Sequence, residues 1–118
     1  MEVEQVTVGD VLVASVLEAR VDGRAGGELL AVLRQSIDSG NRRMVIDLAE
    51  VTFIDSTGLG ALVATLKHMG RSGELGICGV GDAVATLFKL TRMDKVFRVF
   101  PDRDAAVSAL AGVRQATA

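Results

Sequence analysis

From its eleventh residue onward the chain alternates. Each strand-like run is separated from the next by a single helical stripe, and this constrains the fold more than any other feature. "VLVASVL", within residues 11–18, is apolar and β-rich. A helical stripe of Leu29, Leu30, Leu33 and Ile37 follows over residues 28–39. "SGN" at Ser39 to Asn41 ends it, because Gly and Asn adopt the left-handed conformation a helix stop favours. "MVIDL", residues 44–48, is apolar almost throughout, as a central strand covered on both faces would be. Leu59, Leu62, Val63, Leu66 and Met69 form the clearest helical stripe, which stops near Gly70 to Gly73. "LGICGV", residues 75–80, is the next strand. Asp82 is placed to cap a short helix with Val84, Leu87 and Phe88 inward. "KVFRVF", residues 95–100, reads as a final strand closed by Pro101. Asp102 then caps a last helix carrying Ala106, Leu110 and Val113.

Strands joined through single helices become parallel neighbours with right-handed crossovers. Before them stands "VEQVTV", residues 3–8, joined to the next run through Gly9-Asp10, a two-residue hairpin turn. The expected fold is α/β with the order ββαβαβαβα. It is a mixed, mostly parallel sheet with an N-terminal antiparallel hairpin and about four helices. "EARVDGRAGG", with three glycines and both charge signs, is expected to be an irregular link into the first helix. The 118 residues, read as 1–118, are the size of one domain.

Composition narrows the function classes. A net charge of −2 gives no basic footprint for nucleic acid, and with no Trp or Tyr and four Phe, base-stacking platforms are scarce. One cysteine, Cys78, allows neither an internal disulfide nor a cysteine-based zinc cluster, and reads as a small core residue. A lone His68 cannot anchor a metal, so no metal and no cofactor of its own are expected. "MEVEQV" lacks a secretory h-region, and no apolar run approaches about 18 residues. A soluble, cytoplasmic protein without membrane contact is the expectation.

The polar features concentrate in "VTFIDSTGLGALVATL", Val51 to Leu66. A serine hydrolase would need G-x-S-x-G, but only the far glycine, Gly58, is present. His68, the only possible base, lies 12 residues from Ser56, roughly 18 Å along a helix at ~1.5 Å per residue. Proton transfer requires about 3 Å. An enzyme is therefore not expected. Gly58-Leu59-Gly60 opens like a dinucleotide fingerprint, but Val63 stands at the sixth position and no Gly-Lys-Ser/Thr follows. Two readings remain. Asp55 or Ser56 caps a helix whose first N–H groups lack partners. Alternatively, that positive helix end accommodates an anion, either free or covalently attached to Ser56. Asp22, in another strand-to-helix loop, is either solvated loop polarity or part of the same exposed sheet end.

The run "VIDLAEVTFIDSTGLGALV" resembles the STAS domain family of sulfate transporters and anti-sigma factor antagonists. Within the family, the chain is similar to the small stand-alone bacterial antagonists. The resemblance covers nearly the whole chain, including the ending "LFKLTRMDKVFRVFPDRDAAVSAL". It implies that Ser56 is the phosphoacceptor and that Thr57 is the neighbouring hydroxyl and second choice. It places Asp22, Asp55, Ser56, Thr57, Gly58 and Leu59 on the partner-binding surface. The implied partners are an anti-sigma factor that is also a serine kinase, using its own ATP, and a phosphatase. The implied state is a monomer or weak dimer. The unphosphorylated form would bind the anti-sigma factor and release sigma, and phosphorylation would switch binding off. The alternatives within the family are a non-switching scaffold module and a small-ligand or lipid sensor. The chain departs from the family pattern at Ala19 and Arg20, where the family has glycine and glutamate, and in its glycine-rich "GRAGG".

Overall fold

A computed structural model describes residues 1–112. Val113, expected on the inner face of the last helix, lies outside the described residues. Five strands form the main sheet in the order β1-β2-β4-β6-β7. They are β1 (Val3–Val8), β2 (Val11–Val16), β4 (Arg43–Asp47), β6 (Glu74–Cys78) and β7 (Arg98–Phe100). β1 runs antiparallel to β2, from Val3↔Val16 to Val8↔Val11, and Gly9 turns the hairpin at φ 64°. The other pairings are parallel. Two further strands, β3 (Arg20–Val21) and β5 (Phe53–Ile54), form a separate parallel pair. The helices are α1 (Arg24–Asp38), α2 (Ser56–Met69), α3 (Asp82–Leu90), α4 (Met93–Val96) and α5 (Arg103–Leu110).

Alternation along the strands divides the core. Leu12, Ala14, Val16, Met44, Ile46, Leu75 and Ile77 face one side, against Leu29, Leu33 and Ile37 of α1, Leu62 and Met69 of α2, and Val84 and Phe88 of α3. Val11, Val13, Val45 and Cys78 face the other side, where Ala106 and Leu110 of α5 cover them. β4 is therefore buried on both faces, as its continuous apolar run requires. Asp102 caps α5 by accepting the Ala105 N–H at 2.8 Å. Gly40, at φ 109°, turns the chain after α1.

Four expectations are corrected. "RAGG" is helical, and α1 starts at Arg24 rather than Glu28. Gly26 is an interior helix residue because α1 and α2 touch there: a Cβ would lie 2.9 Å from the Thr57 carbonyl oxygen. Asp82 does not cap α3. It is the first helical residue, with Gly81 at the N-cap and no side-chain cap bond. "KVFRVF" is divided between two elements. Lys95 and Val96 belong to the single-turn α4, which makes five helices among the described residues, and β7 begins only at Arg98. The break lets Phe97 turn inward, 4% exposed, with its ring 6.1 Å from that of Phe88. Finally, the β3–β5 pair inserts between the main strands and the helices that follow them.

Candidate functional site

The β3–β5 pair builds the site. Parallel register sets Arg20 beside Phe53 and Val21 beside Ile54. Val21 and Ile54 point inward, 0% and 3% exposed. Period-two alternation then places Arg20 and Phe53 on the outer face, with Asp22 and Asp55 following them two residues on. Both strands lead directly into helices, so the N-termini of α1 and α2 lie side by side.

Asp55 joins the two helix starts. It is the N-cap of α2, and its Oδ1 accepts the Gly58 N–H at 2.9 Å. Its Oδ2 accepts the Gly23 N–H of the other loop at 3.3 Å. The Gly58 N–H, reinforced by those of Gly23 and Thr57, holds the carboxyl below its ordinary value of 3.8. Asp55 is thus an anion at neutral pH, already seated on the positive helix end.

Ser56 is the first residue of α2 and is exposed. Among the described residues its hydroxyl has no hydrogen-bond partner. Thr57 is exposed beside it. The capping question left open by the sequence is answered by Asp55, which leaves the Ser56 hydroxyl free. Gly58 is buried, and a Cβ there would lie 2.4 Å from the Val21 carbonyl oxygen. Its role in the structure is close packing of α2 on the small sheet. Leu59 is partly buried against the core. Asp22 reaches the same surface, where Arg20 Nη2 donates to its Oδ2 at 3.2 Å.

Sequence reasoning noted Arg20 only as a departure and did not single out Phe53. The Arg20 guanidinium lies 4.0 Å from the Phe53 ring centroid, so one side chain both stacks on the ring and neutralises Asp22. The available signal was the i, i+2 spacing of Arg20 to Asp22 and of Phe53 to Asp55. Behind Phe53, a mostly apolar hollow of about 220 Å³ opens between β5 and α3, lined by Thr52, Ala83, Val84 and Leu87 among others.

No imidazole serves this end of the molecule. His68, the only histidine, sits at the far end of α2 with Nε2 2.7 Å from Asp38 Oδ1. Cys78 is fully buried, and burial, with Asp47 nearby, pushes its thiol up to about 12. Among the described residues no helix is long and apolar enough to cross a membrane.

In this chain, then, a short strand leads into an aspartate cap, an exposed serine at the first helical position and a buried glycine. The STAS domain model matches residues 4–106, and the chain belongs to that family. An anti-sigma-B factor antagonist of Staphylococcus aureus is 38% identical over 73 residues, covering 61% of this chain and 68% of the relative. A Bordetella bronchiseptica protein named as the anti-sigma factor antagonist BtrV is 30% identical over 101 residues, 85% of this chain and 87% of its own. The crystal structure of an anti-sigma factor antagonist from Mycobacterium paratuberculosis superposes with a TM-score of 0.86 at 28% identity, covering 94% of both chains.

Proposed function

We propose that this protein is an anti-sigma factor antagonist controlled by phosphorylation at Ser56. Unmodified, it binds an anti-sigma factor and thereby frees the sigma factor held there. The partner is also a serine kinase and carries the ATP. It transfers the γ-phosphoryl group to the Ser56 oxygen, which gives up its proton, and ADP leaves. A phosphatase hydrolyses the phosphoester and resets the switch. The protein acts in the cytoplasm as a binding module, not as an enzyme, and without a cofactor of its own.

The observation that carries this reading is the free, exposed Ser56 hydroxyl beside the Asp55 cap. The names of the relatives supply the partner class. No histidine lies near Ser56 to activate it from within the chain, so phosphoryl transfer falls to a partner. Asp22, Asp55, Thr57 and Leu59 surround the serine as the docking surface, and Gly58 sets their spacing. The hollow beside Phe53 offers that surface an apolar seat. A phosphoserine brings about −1.5 to −2 charges. Against a partner already accommodating two carboxylates, that charge adds repulsion and desolvation cost. Weakening binding 100–1,000-fold takes only ~3–4 kcal/mol.

The test is incubation with the cognate kinase and ATP, followed by mass spectrometry. Wild type is expected to gain one phosphate and Ser56→Ala none. Equal labelling of both proteins would transfer the assignment to another residue, with Thr57 next to be substituted.

A further inference from the structure

The opposite end of the molecule carries a polar hollow with no place in this switch. We propose that it is an anion site that takes a phosphoryl group. The hollow measures about 160 Å³ and is lined by Arg42, Arg43, Arg71, Ser72, Gly73 and Glu74. It lies at the amino ends of β4 and β6, beyond the last turn of α2. The 14 residues of α2 separate it from Ser56 by about 20 Å at ~1.5 Å per residue. At roughly 30 Å³ per water it has room for a phosphoryl group and some of its hydration.

Three arginines line the hollow, and two carboxylates stand against them, Glu74 in the lining and Asp10 on Arg43. Glu74 is neutralised from outside, with Arg98 Nη1 donating to its Oε1 at 2.9 Å. Arg43 Nη1 is bound to Asp10 Oδ2 at 2.9 Å, and its buried Nε has no hydrogen-bond partner. Arg42 and Arg71 have no carboxylate partner among the described residues. Arg42 is nevertheless held in place: its Nη2 donates to the Met69 carbonyl at 3.0 Å and to the Ser72 hydroxyl. Its own carbonyl accepts the Glu74 N–H at 2.8 Å. The turn is therefore fixed before any ligand arrives. Gly73 permits this closeness, since a Cβ there would lie 2.7 Å from the Arg42 carbonyl oxygen. Among the described residues, the backbone N–H groups of Arg71, Ser72 and Gly73 have no acceptor.

Two uncompensated guanidiniums, a hydroxyl and consecutive free N–H groups are the donor set of a tetrahedral oxyanion site. Guanidinium suits phosphate because its paired N–H donors match two oxygens at once, and free backbone N–H groups in a turn add further donors. The group bound can be free phosphate, the phosphate of a nucleotide or a phospholipid headgroup. All three present the same chemistry to the hollow.

The test is an amide NMR titration with inorganic phosphate at constant ionic strength, with chloride as the exchanged anion. Saturable shifts confined to residues 71–74 and their neighbours are expected. Arg71→Ala should weaken the affinity about tenfold without touching the fold, because that side chain is exposed and holds nothing. Arg34→Ala, on the outer face of α1, should leave it unchanged. Arg42→Lys keeps the charge but loses the fork, and is expected to fall between wild type and Arg71→Ala. Parallel titrations with AMP and glycerol 3-phosphate identify the source: the one that binds tighter than inorganic phosphate carries the natural group. If neither does, free phosphate is the ligand. Shifts reproduced by chloride alone, or an affinity indifferent to Arg71→Ala, would overturn the proposal.

Discussion

Two glycines within one helix separate packing from propensity. Gly58 and Gly60 are both in the first half of α2, and a sequence motif treats them alike. At Gly58 a Cβ would meet the Val21 carbonyl oxygen at 2.4 Å and Ile54 Cγ1 at 2.5 Å. At Gly60 it would meet nothing within 4 Å. Gly58→Ala should therefore destabilise the protein by about 1–3 kcal/mol through overpacking. Gly60→Ala should stabilise it by about 0.5–1 kcal/mol, the usual helix-interior preference for alanine. Urea unfolding midpoints at equal m-value check both. Asp55 gives a prediction in pH. Its folded carboxyl titrates below the ordinary 3.8, chiefly because the Gly58 N–H favours the charged form. The stabilisation is thus fully present above 3.8 and is lost as pH falls through the lower folded value. Asp55→Asn removes that titration. The stability gap between wild type and Asp55→Asn should be constant at neutral pH and narrow in acid, as urea midpoints across the pH range would read out. A gap unchanged by acid would mean that the side chain contributes through shape alone.

At the scale of elements, the site depends on three helices packing on one sheet face, and Phe88 is the key of α3. It is 2% exposed and stacked on Phe97, which anchors the chain between α4 and β7. Phe88→Ala should cost about 3–5 kcal/mol, a large part of the ~5–15 kcal/mol that typically stabilises a domain. Thermal unfolding should show the loss directly. The long elements were legible in the sequence, because 3.6-residue and two-residue periods need length to show. α2 has such a stripe, while β2 and β4 are legible instead as continuous apolar runs. "RV" and "FI", the two-residue strands that hold Asp22 and Asp55, show neither: no period can be read from two residues. α4, at four residues, was hidden for the same reason. The start of α1 was missed for a different reason. Gly26 and Gly27 read as helix breakers by propensity, but contact with Thr57 requires a residue without a Cβ at position 26. The candidate site was legible as a motif. Its connection to Gly23, and the Arg20–Phe53 stack, were not, because both depend on the register of strands too short to be seen.

The whole molecule separates the surface around Ser56 from the packing that holds the fold. Ser56 lies outside the core, at one end of a sheet whose β2 and β4 are buried on both faces. Charge added there changes a surface and leaves the packing that defines the domain untouched. Ser56→Asp should therefore keep the thermal midpoint and the slow amide exchange of β2, β4 and β6 close to wild type. Its affinity for the anti-sigma factor should nevertheless fall at least tenfold by calorimetry. The cause can be isolated with salt. Screening shortens from about 8 Å at 0.15 M ionic strength to about 3 Å at 1 M, so a repulsion across a partly hydrated interface fades as salt rises. The affinity gap between wild type and Ser56→Asp should narrow between those two concentrations. Ser56→Leu, which adds bulk without charge, controls for shape, and any loss it causes should be nearly independent of salt. Parallel salt profiles for the two variants would mean that the surface excludes volume rather than charge, and that the proposed phosphate on Ser56 would act there as a wedge.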